Sequence, residues 1–244
     1  MEIANKTILI TGGTSGIGLA MVKQLSAHNV VLVIARSLEK TTTLFRSHTN
    51  IHCYNCDLLS NANIAECVKQ IVLDHPDISI LINNAGIQYT PCFIDADFTI
   101  NSIEEEIQVN LYAPLILGAM LINHWQQKNN NATIVNISSA LAIFPKTTAA
   151  VYCATKAALH SFSSSLSYQL ESTNMRVCEV ILPLVDTPMT AGRPGKKISA
   201  DFAAKEIILG IGKQKKRIYG GKTKWIPLLA RVSPALIAKI LKKY

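Results

Sequence analysis

The feature that most constrains the fold of this chain is an alternation of short, continuously apolar runs with longer stretches of helical periodicity. Seven runs are predicted as strands, at residues 6–11, 30–35, 51–56, 78–83, 132–138, 176–183 and, as an edge strand, 217–221. Helical stretches separate them, including a long one from residue 149 to about 174. Strands that are apolar throughout are covered on both faces, so the pattern predicts an α/β fold with a doubly wound parallel sheet. No repeat or linker divides the chain, and residues 1–244 are expected to form a single domain.

In such a sheet, ligands bind beyond the carboxyl ends of the strands, near the point at which the strand order reverses. The first strand end carries the sequence TGGTSGIG at residues 11–18, directly before the first helix. Glycines let backbone amides approach a phosphate closely, and the helix adds the positive end of its dipole. The spacing Gly12-x3-Gly16-x-Gly18 differs from GxGxxG, and tight turns also use glycine for steric reasons. Between a strand and a helix, however, it predicts a pyrophosphate site.

The second strand end favours one nicotinamide coenzyme over the other. Ala35 and Arg36 stand where an acidic residue would bind the ribose 2′-hydroxyl of NAD. Arg36, followed by Ser37 as a helix N-cap, is suited to the 2′-phosphate of NADP, although a solvated arginine is the plainer explanation. The pattern predicts NADP(H), with NAD(H) the less favoured coenzyme.

The remaining strand ends carry small or polar residues, each with an ordinary structural explanation beside a functional one. Asp57-Leu58 is expected either at the adenine edge or in a turn, and NNAG at 83–86 suits both a cofactor passage and a plain turn. Ser138-Ser139 follow the fifth strand. The segment PLVDTPM at 183–189 follows the sixth strand, and its Thr187 offers a hydroxyl to a carboxamide.

A phenol and an ammonium stand one helical turn apart in AVYCATKAAL, at residues 149–158. The four-residue spacing of Tyr152 and Lys156 places both side chains on one face of the predicted helix. A free tyrosine titrates near pH ~10, and a nearby cation favours its phenolate. The pair therefore indicates a proton-transfer group tuned by a lysine.

Taken in order, TGGTSGIG, NNAG, QVNLYAP, NISS and YCATK resemble the motifs of the short-chain dehydrogenase/reductase family. The resemblance covers essentially the whole chain, and the five motifs together are highly specific. It implies a Rossmann-type fold and hydride transfer between a nicotinamide coenzyme and a carbonyl or alcohol, without a metal. It also implies a homodimer or homotetramer.

The resemblance assigns a role to each matching residue. Tyr152 is the general acid, Lys156 orients the nicotinamide ribose and tunes Tyr152, and Ser139, rather than Ser138, holds the substrate oxygen. Asn110 in QVNLYAP steadies a water beside the lysine, which is compatible with a helical asparagine that bonds backbone. The predicted coenzyme-binding residues are Gly12, Thr14, Ser15, Gly16, Ile17, Gly18, Arg36, Ser37, Asp57, Leu58, Asn84, Ala85, Gly86, Tyr152, Lys156, Pro183, Val185 and Thr187.

One position departs from the family pattern. The family usually has Pro-Gly after the sixth strand, and here the pair is Pro183-Leu184. A leucine there is expected to crowd the nicotinamide side or the substrate entrance. The sequence P-x-V-x-T resembles a subgroup that includes oxidoreductases encoded beside D-alanyl–teichoic acid genes in some bacteria.

Other polar residues are given structural explanations. His160 is expected to be a packed or interface histidine, and Glu104-Glu105-Glu106 an exposed helix start. Cys53 and Cys56 form a CxxC without a second pair, so reduced, buried thiols are expected in a cytoplasmic protein.

The positive charge is concentrated near the end of the chain. Residues 193–244 carry a formal charge of +12, against −4 for residues 1–192. Residues 225–244 are expected to be a basic amphipathic segment, with a helix that begins at Ser233 and Pro234 and an apolar stripe of Leu236, Ile237, Ile240 and Leu241. Sheet-edge packing, closure over the cleft or an oligomer contact is favoured over a peripheral membrane contact. Nucleic acid binding is disfavoured, because aromatics are few and no recognition motif is present.

The sequence therefore predicts an NADP(H)-dependent enzyme that interconverts a small carbonyl compound and an alcohol. The alternative is a catalytically silent NADP(H)-binding sensor or scaffold, which would not need Asn110, Ser139, Tyr152 and Lys156 together.

Overall fold

The computed structural model describes residues 3–128, 130–232 and 242. Seven parallel strands form one sheet: β1 (Thr7–Thr11), β2 (Val30–Ala35), β3 (Ile51–Asn55), β4 (Ile78–Asn83), β5 (Ala132–Ser139), β6 (Met175–Leu182) and the edge strand β9 (Arg217–Tyr219). Their order is β3-β2-β1-β4-β5-β6-β9. Two short strands, β7 (Val185–Asp186) and β8 (Ile198–Ser199), pair separately. The predicted doubly wound sheet is confirmed.

Helices cover both faces of the sheet: α1 (Gly16–Leu25), α2 (Leu38–Leu44), α3 (Asn61–Asp74), α4 (Ile100–Ile107), α5 (Ala113–Lys128), α6 (Ala150–Gln169), α7 (Ala200–Gly212) and α8 (Ile226–Val232). Helices α1 and α7 pack on one face, with Ile8 and Ile10 of β1, and α3, α5 and α6 pack on the other, with Leu9. Because neighbouring residues of a strand face opposite sides, two buried faces require the apolar run seen in the sequence.

The strand order reverses beside β1, which lies between β2 and β4. The chain passes from β1 outward through β2 and β3, and then returns to the other side of β1 as β4. A crevice therefore opens beyond the carboxyl ends of β1 and β4, where an open α/β sheet binds its ligands.

A chain of buried amides holds helix α6 against the sheet. Asn83 Nδ2 of β4 donates to Asn136 Oδ1 of β5 at 2.9 Å, and Asn136 Nδ2 donates to Ser163 Oγ of α6 at 2.9 Å. Ser163 in turn donates to the Leu159 carbonyl. This network fixes the face of α6 that points toward the carboxyl end of β5.

Some predicted boundaries change. The long helix α6 ends at Gln169 rather than near 174, and a π-helical turn at Gln108–Tyr112 lies between α4 and α5. The helix predicted to begin at Ser233 and Pro234, with its apolar stripe, lies outside the described residues. The carbonyl of Lys242 accepts hydrogen bonds from the amide and hydroxyl of Thr147, at 3.2 and 2.9 Å.

Candidate active site

A cavity of about 680 Å³ opens at the carboxyl ends of the strands. It collects most of the residues predicted from the sequence: Gly12, Thr14, Ser15, Gly16, Ile17, Arg36, Asp57, Leu58, Asn84, Ala85, Gly86, Ser139, Tyr152, Lys156, Pro183, Val185 and Thr187. Three predicted residues, Gly18, Ser37 and Asn110, are not part of its wall. Gly18 lies against Gly12 and Asn84, and Asn110 bonds the Ile87 backbone, so these two support residues that line the cavity.

The glycine turn is built so that a side chain would not fit. A Cβ atom on Gly18 would lie 2.1 Å from the Gly12 carbonyl oxygen and 2.6 Å from Asn84 Nδ2. Asn84 Nδ2 donates to the carbonyls of Thr11 and Gly12 at 3.0 and 3.1 Å, which joins the turn to NNAG. Gly12 adopts φ +67°, and Ser15 makes no side-chain bond to the amides that begin α1. The turn thus presents backbone N–H groups to the cavity, as a pyrophosphate requires.

The second and third strand ends form the adjoining wall. The exposed side chain of Arg36 follows β2, and Ser37 accepts a hydrogen bond from the Lys40 amide, which confirms it as the N-cap of α2. Asp57 accepts from the Leu59 amide at 3.1 Å, so it forms the predicted turn and also lines the cavity.

Tyr152 and Ser139 meet at the opposite end of the cavity. Ser139 ends β5, Tyr152 lies in the first turn of α6, and both line the cavity. Burial raises the pKa of Tyr152 to about 12, whereas the positive charge of Arg193 and the hydroxyl of Ser139 act to lower it. The phenol is therefore protonated at neutral pH.

Lys156 lies one helical turn from Tyr152 on the same face of α6, as the spacing predicts. Its Nζ atom is 5.6 Å from the centre of the Tyr152 ring and donates to the Ile137 carbonyl at 2.8 Å. Burial lowers the pKa of Lys156 to about 8. The raised pKa of Tyr152 comes first from burial of its own phenol, and the tuning of Tyr152 by Lys156 stays a prediction.

Asn110 lies in the π-helical turn and is fully buried. Its side chain accepts from the Ile87 amide and donates to the Ile87 carbonyl, both at 2.8 Å. A Cβ on Gly86 would lie 3.2 Å from Asn110 Oδ1 and 3.9 Å from Lys156 Nζ. Asn110 thus acts as the predicted backbone-bonding asparagine, and it fixes the NNAG segment next to the lysine.

The acidic run Glu104-Glu105-Glu106 is not the exposed helix start that was expected. Helix α4 begins at Ile100, so the run lies in its second half, and Glu106 is buried. Glu106 accepts hydrogen bonds from the backbone N–H groups of Tyr89, at 2.7 Å, and of Tyr152. Burial raises its pKa. The prediction was wrong because its partners are backbone groups distant in sequence.

The end of β6 closes the cavity on its far side. Thr187 packs against the glycine turn, since its Cγ2 atom lies 2.9 Å from the position of a Cβ on Gly16. Leu184 lines the cavity, and its carbonyl accepts from the Ile198 amide at 3.2 Å. The leucine therefore faces the same space as Tyr152, where crowding was expected.

The polar residues of the cavity that were not predicted include Gln88, Lys146 and Arg193. Gln88 comes two residues after NNAG, Lys146 six before Tyr152, and Arg193 shortly after Thr187. Their closeness in sequence to recognised motifs is the signal that could have found them.

Several other residues lie away from this chemistry. His160 Nδ1 is 2.8 Å from both carboxylate oxygens of Glu179, which agrees with a packed histidine. Cys56 contacts Cys67 rather than Cys53. Within residues 3–128 and 130–232, no group of three or more His, Cys, Asp or Glu side chains has the arrangement of a metal site, and no helix has the length and hydropathy needed to span a bilayer.

A doubly wound sheet with a glycine turn at one end of its crevice and Ser, Tyr and Lys at the other is the arrangement of short-chain oxidoreductases. The family model described as short chain dehydrogenase matches residues 6–197. The chain belongs to this family, as the resemblance of its motifs implied.

Individual relatives agree with this assignment. The chain is 38% identical over 188 residues to the uncharacterized oxidoreductase DltE of Bacillus subtilis (strain 168), covering 77% of this chain and 74% of the relative. This similarity supports the subgroup expected from P-x-V-x-T. A fatty acyl-CoA reductase of Acinetobacter baylyi is 31% identical over 226 residues, covering 89% and 76%. A short chain dehydrogenase from Burkholderia cenocepacia J2315, in complex with NADP, superposes with a TM-score of 0.87 at 21% identity, covering 99% of both chains.

Proposed function

We propose that this protein is an NADP(H)-dependent oxidoreductase that interconverts a small carbonyl compound and an alcohol. The observation that carries the proposal is that Ser139, Tyr152 and the glycine turn line one cavity. A group that must deliver a proton and a turn that can hold a pyrophosphate thus lie at the two ends of the same space.

The residues take the following roles. Tyr152, whose phenol is protonated at neutral pH, gives its proton to the substrate oxygen during reduction. Ser139 binds that oxygen, and Lys156 stabilises the phenolate left behind. Asn110 positions Gly86 and Ile87 through its bonds to the Ile87 backbone. The bound nicotinamide would supply or accept the hydride.

The coenzyme fits what the residues present. The glycine turn, with Asn84 behind it, offers backbone amides to a pyrophosphate, and a side chain at Gly18 would close that space. Arg36 at the end of β2 offers a cation to a 2′-phosphate. The similar Burkholderia cenocepacia structure contains NADP, which supports the same coenzyme here.

The role of Tyr152 is tested with a panel of ketones and aldehydes reduced by NADPH. Tyr152→Phe is expected to lower kcat by about 100- to 10,000-fold, the range lost with a general acid, and to leave the Kd of NADPH within about threefold. Tyr168→Phe is the matched control, because Tyr168 lies on the same helix and is 68% exposed. Wild-type protein that binds NADPH tightly and turns over none of the panel would instead favour the silent sensor or scaffold.

Coenzyme preference is tested at Arg36. Arg36→Ala is expected to weaken NADPH by about 10- to 100-fold and NADH by less than about threefold, because a charge-assisted bond to the 2′-phosphate is lost. Arg46→Ala removes an exposed arginine outside the cavity and should change neither affinity. Equal losses for the two coenzymes would refute the assignment.

A further inference from the structure

Two cationic side chains that the proposed mechanism does not use line the reacting end of the cavity. Lys146 lies in the segment between Ser139 and Tyr152, and only 9% of it is exposed. Arg193 lies between β7 and β8 and faces the same space. The positive charge of Arg193 acts on Lys146, so a negative charge bound near the two side chains would be attracted by both.

The segment that carries Arg193 is held in place by its own contacts. Strands β7 and β8 pair at its two ends, and the Arg193 amide donates to the Thr190 carbonyl at 3.2 Å. Lys197 Nζ donates to the same carbonyl at 2.7 Å and lies 3.6 Å from Asp186 Oδ1. Arg193 is therefore presented to the cavity by a built loop.

Gln88 provides an independent sign that an acceptor belongs at this place. Its Oε1 atom accepts a hydrogen bond from the Arg193 guanidinium, which fixes the orientation of the amide. Its Nε2 atom is buried and has no hydrogen-bond partner among the residues that the structure describes. A buried N–H donor without an acceptor is unfavourable, and a ligand oxygen placed there would satisfy it.

The charges of Lys146 and Arg193 at this end of the cavity also favour an anionic ligand. Burial lowers the pKa of Lys146, and the positive charge of Arg193 lowers it further. Glu106 also acts on Tyr152, and it accepts hydrogen bonds from backbone N–H groups. Glu105, which lines the cavity, accepts from the Tyr89 hydroxyl.

We propose that the substrate carries an anionic group, a carboxylate or a phosphate, which Lys146, Arg193 and Gln88 Nε2 bind while Tyr152 faces the carbonyl. The inference rests on the proposed carbonyl reduction at Tyr152. The anion belongs to the substrate rather than to the coenzyme, because Lys146 lies between Ser139 and Tyr152, whereas the glycine turn and Arg36 follow β1 and β2.

The test compares substrates that differ only in this charge. Benzoylformate is paired with its methyl ester, and 4-formylbenzoate with its methyl ester, while 4-formylphenyl phosphate tests phosphate as the source. Wild-type protein is expected to show a higher kcat/KM for the acid of at least one pair. The ratio of kcat/KM for acid over ester should fall by about tenfold or more in Lys146→Met and in Arg193→Gln, since each loses a charge-assisted hydrogen bond.

The control variant is Lys205→Met, which removes an exposed lysine of α7 and should leave the ratio unchanged. A wild-type preference for the esters, or equal losses for acid and ester in both variants, would overturn the proposal. A weaker Kd for NADPH in Lys146→Met with no change in the ratio would overturn it too, by assigning the cation to the coenzyme.

A binding measurement separates this inference from the proposed function. Calorimetric titration of 4-formylbenzoate into NADP⁺-loaded protein needs no turnover, and it should show tighter binding of the acid than of its ester, lost in Arg193→Gln. Tight binding of the acid without turnover would contradict the proposed function alone. Turnover of the esters with no preference for the acid would contradict the anion site alone.

Discussion

The glycine turn gives a prediction whose size follows from the structure. Gly18→Ala and Gly118→Ala are the same substitution at two helical glycines, one in α1 and one in α5. In both, alanine gains about 0.5–1 kcal/mol of helix stability relative to glycine. The difference between the variants therefore reports only what the new methyl group meets.

At Gly18 the methyl group would meet backbone. Its position is 2.1 Å from the Gly12 carbonyl oxygen, more than an ångström closer than ordinary van der Waals contact, and 2.6 Å from Asn84 Nδ2. Neither atom can rotate away without breaking the bonds between Asn84 and the turn. Overpacking of this kind costs up to about 3 kcal/mol, so after the helical gain we expect a net loss of about 2 kcal/mol. At Gly118 the nearest atom is Ile134 Cδ1 at 3.6 Å, so the helical gain is kept.

Thermal unfolding measures the stability difference between the two variants, and NADPH binding measures whether the glycine turn is displaced. At about 2–4 °C per kcal/mol for a chain of this size, Gly18→Ala should lower Tm by about 4–8 °C, and Gly118→Ala should raise it by about 1–4 °C. A turn displaced by about 1 Å should also weaken NADPH by about 100-fold in Gly18→Ala, with no change in Gly118→Ala. Equal Tm values and equal NADPH affinities for the two variants would refute the reasoning.

Two further substitutions separate stability from activity. Lys156→Met should abolish turnover yet raise the free energy of unfolding at pH 7 by about 2 kcal/mol, because it removes a buried ammonium whose pKa is lowered to about 8. The gain in stability should shrink between pH 8 and the unfolded pKa near ~10.4, because the native lysine is neutral in that range. Chemical denaturation across this pH range checks the sign of the effect. Glu106→Gln should lower kcat by about tenfold with little change in the Kd of NADPH, because one acceptor for the Tyr89 and Tyr152 amides is lost. The control is Glu104→Gln, which changes an exposed residue of the same helix. Identical kinetics in the two variants would contradict the role of Glu106 in positioning Tyr152.

The parts of the site that the sequence predicts are those fixed by local chain geometry. The turn at Gly12–Gly18, the pair Tyr152 and Lys156, and the residues after each strand follow from periodicity and from the rule for open sheets. Even the N-caps at Ser37 and Ser199 could be predicted, since a cap bonds amides within its own helix.

What the sequence did not predict depends on groups distant in the chain. Glu106 is one of three identical neighbours, and only the Tyr89 and Tyr152 amides make it the buried one. The spacing of Tyr152 and Lys156 does not report that both side chains are buried, and this burial raises the pKa of Tyr152 and lowers that of Lys156. Lys146 and Arg193 become neighbours only because β7 and β8 pair.

An anion at Lys146 and Arg193 would also change the proton chemistry of Tyr152. The charge of Arg193 acts to lower the pKa of Tyr152, while burial raises it to about 12. An anionic substrate group paired with Arg193 cancels the lowering influence, so the phenol in the complex holds its proton to still higher pH. Such a complex favours reduction, in which the phenol must be protonated, and opposes oxidation, in which the phenolate must accept a proton.

The oxidative pH profile measures this effect. With NADP⁺, kcat should rise with pH for both mandelate and methyl mandelate, and the rising limb for mandelate should lie at higher pH, because kcat reports the pKa in the substrate complex. In Arg193→Gln the limb for methyl mandelate should move up toward that of mandelate, since the lowering charge is gone from both complexes. If the two alcohols give the same profile in wild-type protein, the charge on the substrate does not reach Tyr152, and the link between substrate charge and the direction of reaction fails.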